Sequence, residues 1–206
     1  MSTGIIVLFI VGVLILIGVA QNALDHLYLT DNWALFIVVL IIAGSYFDIP
    51  LSQQPPVSAN VGGVIIPVLL SLYVWSRADS GVEKFRTFIA IIFTTVVIYF
   101  VSFYFRNYGE GRDIIDPFIM FITAGGITAY IIGKTRRGAF VAGILGYFGY
   151  EMINLLQLTR GEYLTEVRIG RGGALDTIIL SGIVAILLAE IIGEGREAIF
   201  HRNKRE

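Results

Sequence analysis

Cysteine is absent from this chain, which excludes disulfides, thiolate metal sites and a cysteine nucleophile. Histidine occurs twice, at His26 and His201, too far apart in sequence for a His-x-x-x-His zinc motif. Charge is also scarce. Asp, Glu, Lys and Arg make up 15% of the 206 residues, against about 25% in a soluble domain. The net charge of −1 leaves no electrostatic footprint for nucleic acid. A phosphate-binding glycine loop, a dinucleotide fingerprint and a haem-ligand pair are all missing, so nucleotide-driven chemistry within the chain is not expected.

What is present is apolar: 56% of residues are hydrophobic and mean hydropathy is +0.78. A chain with so little polar surface cannot cover a water-facing globule and reads as a polytopic membrane protein. Apolar runs fall at about 4–24, 33–47, 61–76, 87–105, 117–133, 139–158 and 174–193, each near the roughly 20 residues that span a bilayer, except the second and third. The expected fold is an all-α bundle of about seven transmembrane helices forming one integral membrane domain over 1–206. The second and third spans are short and flank DIPLSQQPPVSAN, which holds three of the five prolines. The first run, within MSTGIIVLFIVGVLILIGVA, lacks the positive n-region and small-residue cleavage site of a signal peptide and reads as a retained span.

Local chemistry marks several boundaries. Asp31 and Asn32 are suited to cap the second helix, with Trp33 as an interfacial anchor. SGVE at 80–83 has the spacing of a capping box. Asp116 precedes Pro117, a residue that fits a first helical turn.

Orientation follows from the basic residues. Arg77, Lys84, Arg86, Lys134, Arg136, Arg137, Arg196, Arg202, Lys204 and Arg205 fall on one side of seven alternating spans, ten against five on the other. The N-terminus is expected outside and the C-terminus inside, with 194–206 a basic cytoplasmic tail. The loop at 21–32 is the exception, being cytoplasmic in this scheme yet without lysine or arginine.

An ionisable residue at a helix centre costs at least about 2.5–3.5 kcal/mol on insertion scales and asks for a reason. Glu151 lies in GYFGYEMINLLQL, roughly 10 Å from the outer end of its span at about 1.5 Å per residue. Tyr147, Glu151, Asn154 and Leu158 share one helix face. Asp176 enters the next span from the same side. Two close carboxylates require a proton, a cation or an arginine between them, and Arg168 and Arg171 lie in the joining loop. Asp48, Asn60, Gly62, Gly63 and Pro67 fall on that side too. Glycine and proline at the start of a short span mark non-helical backbone of the sort that lines a cavity or binding site.

Structural explanations stand beside these. Asp48 can end a helix at the headgroups. Asn60 can cap a helix, and Gly62 and Gly63 can permit close helix packing. Pro67 can be a kink, Asp176 a cap, and Glu190 can reach cytoplasmic water. Thr94, Thr95, Thr123 and Thr128 suit bonds to preceding carbonyls. YFVSFYF at 99–105 suits an interfacial aromatic belt. Gly125, Gly126, Gly143 and Gly146 suit close helix approach.

GSYFDIP at 44–50, NVGGVIIPVLLSLY at 60–73, AGILGYFGYEMINL at 142–155 and GGALDTIILSG at 172–182 resemble the signature blocks of a prokaryotic membrane family. That family is known only as a domain of unknown function, number sixteen-fourteen. The likeness covers about 35–190 and rests most on Asn60 to Pro67. It implies an aspartate where Glu151 stands, so this chain keeps the acid and moves it one methylene outward. It implies no activity.

Three functional readings follow. The first is binding or transport of a cation, proton or small solute at Glu151, Asp176, Asn60, Asp48 and Asn154, with Gly62, Gly63 and Pro67 as backbone elements. The second is an intramembrane hydrolase using Glu151 and Asp176 as a dyad, although GGALD departs from the Gly-x-Gly-Asp pattern of membrane aspartyl proteases. The third is a helper subunit of a membrane complex. The bilayer of the cell membrane is the expected partner in all three, with a homo-oligomer or a membrane-complex partner also compatible. No cofactor is evident beyond a bound cation. The cysteine-free background permits a direct orientation test. Ser80→Cys should react with an impermeant maleimide only after cells are opened, and Ser52→Cys should react in intact cells.

Overall fold

A computed structural model describes residues 27, 29–53, 56–108, 117–160, 167–170 and 177–203. In chain order the elements are α1 (Asp31–Gly44), β1 (Asp48–Gln53), β2 (Pro56–Asn60) and a π-helical turn (Val61–Ile65) that runs directly into α2 (Ile66–Ser76). They continue with α3 (Gly81–Tyr108), α4 (Pro117–Gly133), α5 (Arg136–Arg160), β3 (Val167–Ile169) and α6 (Thr177–Asn203). The protein is mostly helical, and the second to seventh apolar runs each coincide with one helix. The first run lies outside the described residues. Two helices, over Gly81–Tyr104 and Arg136–Leu158, are long and apolar enough to cross a membrane, while the other apolar stretches are shorter.

The all-α expectation needs correction, because the proline-rich segment and the chain before α6 form a three-stranded sheet in the order β1-β2-β3. β1 pairs antiparallel with β2, and β2 pairs parallel with β3. Proline cannot donate to a ladder and is confined to edges and irregular positions. Pro50 lies on the edge strand β1, where the register shifts between Pro50 and Ser52. Val57 and Ala59 of β2 are buried. A second correction concerns α1, whose N-cap is Thr30 and not Asp31 or Asn32, and the Thr30 side chain makes no capping hydrogen bond. The capping box of α3 does form. Ser80 Oγ accepts from the Glu83 N–H at 3.1 Å, and Glu83 Oε2 accepts from the Asp79 N–H at 3.0 Å.

Helices α3, α4, α5 and α6 make the bundle, with α5 packed on the other three and also on α2. Small residues allow this. Gly143 of α5 lies so near Gly182 of α6 that a Cβ would stand 2.8 Å from its Cα, and one on Gly146 would stand 2.6 Å from Thr94 of α3. Ala90, Ala129, Ala139, Ala142, Ala185 and Ala189 form a buried cluster of their own. Close approach of this kind maximises van der Waals contact between the helices. By contrast the outside of α3 is greasy, with Phe85, Phe88, Ile92, Val96, Phe100 and Phe103 all exposed.

The two ends of the bundle differ. At one end the sheet gathers the C-termini of α1 and α5 and the N-termini of α2 and α6, because β1–β2 links α1 to α2 and β3 lies between α5 and α6. At the other end Arg137 joins two turns, pairing with Asp79 at 2.8 Å and donating to the carbonyl of Arg77 at 3.2 Å. Gly143→Ala tests the packing argument. Overfilling a tight crossing costs about 1–3 kcal/mol, so the variant should melt at a lower temperature in detergent than the parent.

Candidate functional site

The sheet end is organised by one side chain. Asn60 closes β2 in extended conformation and is only 5% exposed. Its Oδ1 accepts from the Gly63 N–H at 2.8 Å, capping the π-helical turn. Its Nδ2 donates to the Ser45 carbonyl and to Asp48 Oδ1, both at 2.9 Å, with a longer contact to the Phe47 carbonyl at 3.4 Å. One amide face meets a donor and the other meets only acceptors, which fixes the amide orientation. Asp48 and Asn60 are therefore brought together, as partners of each other.

Gly62 follows from the same geometry. The π-helical turn docks on the last turn of α1, where a Cβ on Gly62 would collide with the Ile41 carbonyl oxygen and stand 2.5 Å from the Ser45 nitrogen. Gly63 supplies the N–H that Asn60 caps, and its backbone faces Gly170 at the end of β3. Gly170 has φ of +72°, a left-handed conformation that glycine adopts without a Cβ penalty. Pro67 is buried in the first turn of α2. Having no N–H, it cannot close the i→i+4 bond to residue 63. The chain winds more widely before it, and the Ile66 N–H reaches Val61, five residues back.

Glu151 lies on α5, half-buried, one turn beyond the buried Tyr147. Tyr147, Tyr150 and Phe121 form an aromatic cluster, with Tyr147 and Tyr150 edge to face at 5.4 Å and Phe121 stacked on Tyr150 at 6.2 Å. Both Glu151 and Asn154 are engaged by neighbouring groups. Asn154 also lines a cavity between α3 and α5 with Tyr99, Ser102, Phe103, Tyr150 and Gln157. Its volume of about 20 Å³ is room for one water and no organic solute. Asp176 and Arg171 lie outside the described residues. Arg168 lies in β3 and is exposed.

The α3–α5 seam carries polar groups that sequence reasoning did not single out as a set. Ser102 Oγ and Tyr150 Oη are 2.8 Å apart, and Gln157 Nε2 donates to Tyr99 Oη at 3.1 Å. Thr95 Oγ1 donates to Gly146 O at 2.8 Å and to Ile91 O at 3.0 Å. Tyr99 and Ser102 sit three apart, as do Asn154 and Gln157, so each helix shows a short polar stripe. Among the described residues no group of three or more His, Cys, Asp or Glu is placed to hold a metal ion.

Removing the Asn60 amide isolates the role of this junction. Asn60→Ala leaves the buried Gly63 N–H without its acceptor and costs about 1–3 kcal/mol. The variant should melt earlier, and amide hydrogen exchange should accelerate through Ser45–Asp48 and Val61–Ile65 before it does in α5.

No curated protein and no solved structure matches the chain. A family model described as Protein of unknown function (DUF1614) matches residues 10–188. That range takes in every block on which the resemblance rests, from Gly44 to Gly182, and the chain belongs to this family.

Proposed function

We propose that the protein is a multi-pass protein of the cell membrane, with its N-terminus outside, that binds a proton or a monovalent cation at Glu151 in the outer half of the bundle. The carrying observation is the position of Glu151. It lies within the apolar stretch Arg136–Leu158 of the helix that packs on α2, α3, α4 and α6. A carboxylate in such a span is expensive and is kept where it faces protein or a polar path. The exposed apolar stripe of α3 supports the membrane reading, since a continuous face of phenylalanine and isoleucine suits lipid and not water. The gathering of helix ends by the sheet and by Arg137 supports alternating spans.

The donor set supports the choice of ion. Around Glu151 the same face offers Asn154 and Tyr147, both neutral. One carboxylate with neutral oxygens balances a single positive charge; a calcium-like ion wants six to eight oxygens and more carboxylate. Asp176 is the second acid of this proposal and shares a proton with Glu151, so that the pair carries one negative charge. Asp48, Asn60, Gly62, Gly63 and Pro67 belong to the framework that holds α1 and α2 against the sheet, and the amide hydrogen bonds of Asn60 carry that assignment.

Thermal melting of the purified protein across lithium, sodium, potassium and pH tests this. A cation at about a hundred times Kd stabilises by about 2.7 kcal/mol, and Glu151→Gln should lose that shift while retaining its circular dichroism. A wild type whose melting is unmoved by any of these cations or by pH would sink the reading. Asp176→Asn should alter which ion gives the shift.

A further inference from the structure

The seam between α3 and α5 holds more hydroxyl hydrogens than its hydrogen bonds use. The helices run close there because Gly146 and Gly149 of α5 meet Thr94 and Thr95 of α3; a Cβ on Gly149 would stand 2.6 Å from Thr95 Oγ1. Beyond this contact Tyr99 and Ser102 of α3 and Tyr150, Asn154 and Gln157 of α5 line the cavity of about 20 Å³. The three α5 residues share one helix face at i, i+4 and i+7. Gln157 is exposed, Tyr99 and Asn154 are half-buried, and Ser102 and Tyr150 are buried, so the cavity leads from an open rim to a closed floor. Tyr99, Ser102 and Tyr150 bring three O–H groups. Ser102 and Tyr150 share one bond and so use one of their two hydrogens. Tyr99 Oη accepts from Gln157 Nε2, which leaves its own hydrogen to place. Among the described residues these three hydroxyls make no other hydrogen bond, so two hydrogens remain beside a space that fits one water.

We infer that this cavity binds one water and that the water is a step in a proton path to Glu151. A water oxygen accepts two hydrogen bonds, which matches the two hydrogens left over, and the amide oxygens of Asn154 and Gln157 are acceptors for its own. The bound water then completes a row of exchangeable O–H groups from Tyr99 near the rim to Ser102 and Tyr150 at the floor. Glu151 follows Tyr150 directly and stands one turn before Asn154, so two lining residues flank it on α5. A proton from bulk water joins the Tyr99 oxygen as Tyr99 passes its hydrogen to the bound water. The water passes one hydrogen to the Ser102–Tyr150 pair, and the pair gives one to the Glu151 carboxylate. Each hydroxyl and the water end with the hydrogens they began with, and Glu151 gains one. Asn154 and Gln157 carry no proton and are positioning residues. The path rests on the reading of Glu151 given above and chooses the proton, whereas the water rests on the cavity alone.

Time-resolved infrared spectroscopy of the full chain in lipid nanodiscs, after a drop in pH, tests both parts. The carboxylic-acid band that Glu151→Gln removes should appear about a hundredfold more slowly in Tyr99→Phe and in Tyr150→Phe, with its midpoint pH unchanged. Both substitutions keep the ring and remove only the hydroxyl, so the aromatic packing is spared. Thr123→Val removes an exposed hydroxyl on α4 that bonds its own helix, and should leave the rate at that of the parent. The O–H band of the bound water should shift in water labelled with heavy oxygen and should move in both phenylalanine variants. An unchanged rate in both of those variants, or equal slowing by Thr123→Val, would overturn the path. A parent with no band that depends on Glu151 would sink the reading of that residue and the path with it. The water is judged separately: a missing bound-water band, or one unmoved by Tyr99→Phe and Tyr150→Phe, would overturn its assignment to the cavity.

Discussion

The Asn60 amide is the constraint on which the sheet end depends. Between α1 and α2 the chain must reverse, and it does so through a hairpin whose buried N–H and C=O groups need partners. The β1–β2 ladder satisfies most of them. The join between hairpin and helices is left to Asn60, which takes the Gly63 N–H with one atom and the Ser45 carbonyl with another. With that join fixed, the π-helical turn lies against the last turn of α1, and Gly62 is needed because no Cβ fits the gap. Gly170 then reaches the same turn from β3, so the link from α5 to α6 is registered on the link from α1 to α2.

Packing and polarity divide the rest of the molecule. The helix crossings of the bundle are made by glycine and alanine. Its polar bonds, such as Thr95 to Gly146 and Ser102 to Tyr150, lie between α3 and α5 and not on the outside. In the membrane setting proposed above such bonds contribute roughly 0.6 kcal/mol each, so they specify rotation and register of the helices more than they stabilise them. The exposed phenylalanines of α3 suit lipid in that same setting.

Much of this was legible from composition and spacing, and some was not, for physical reasons. Six helices follow the apolar runs because run length is a direct consequence of helix geometry. The Ser80–Glu83 box and the small-residue crossings at Gly143 and Gly146 are local patterns and are equally readable. The sheet is not. DIPLSQQPPVSAN alternates only briefly, at Ile49 and Leu51 and at Val57 and Ala59, and its prolines argue against a strand; its parallel partner Val167–Ile169 is three residues long and over a hundred residues away. Asn60 shows the division within one residue. Its cap to Gly63, three residues on, is a local signature, whereas its bonds to Ser45 and Asp48 depend on where the hairpin returns. Asp48 and Asn60 stand out in the sequence as polar residues at the edge of an apolar run, and the junction's hydrogen bonds use that polarity.

Helix α5 shows how the separate parts constrain one another. It carries Arg136 and Arg137 in its first turn, then a middle in which Ala139, Val141 and Ala142 are fully buried, and only afterwards Glu151, Asn154 and Gln157. About fifteen residues separate Arg136 from Glu151, roughly 22 Å along the axis. In the membrane setting proposed above, a helix with charged residues toward both ends and none between them has one favourable depth, because sliding it either way drags charge into hydrocarbon. The glycine contacts to Gly182 and Thr94 then fix its rotation, since turning α5 would drive bulkier side chains into those crossings. Depth set by charge and rotation set by glycine together determine which face Glu151 presents, and both determinants lie outside the residues that would touch a ligand.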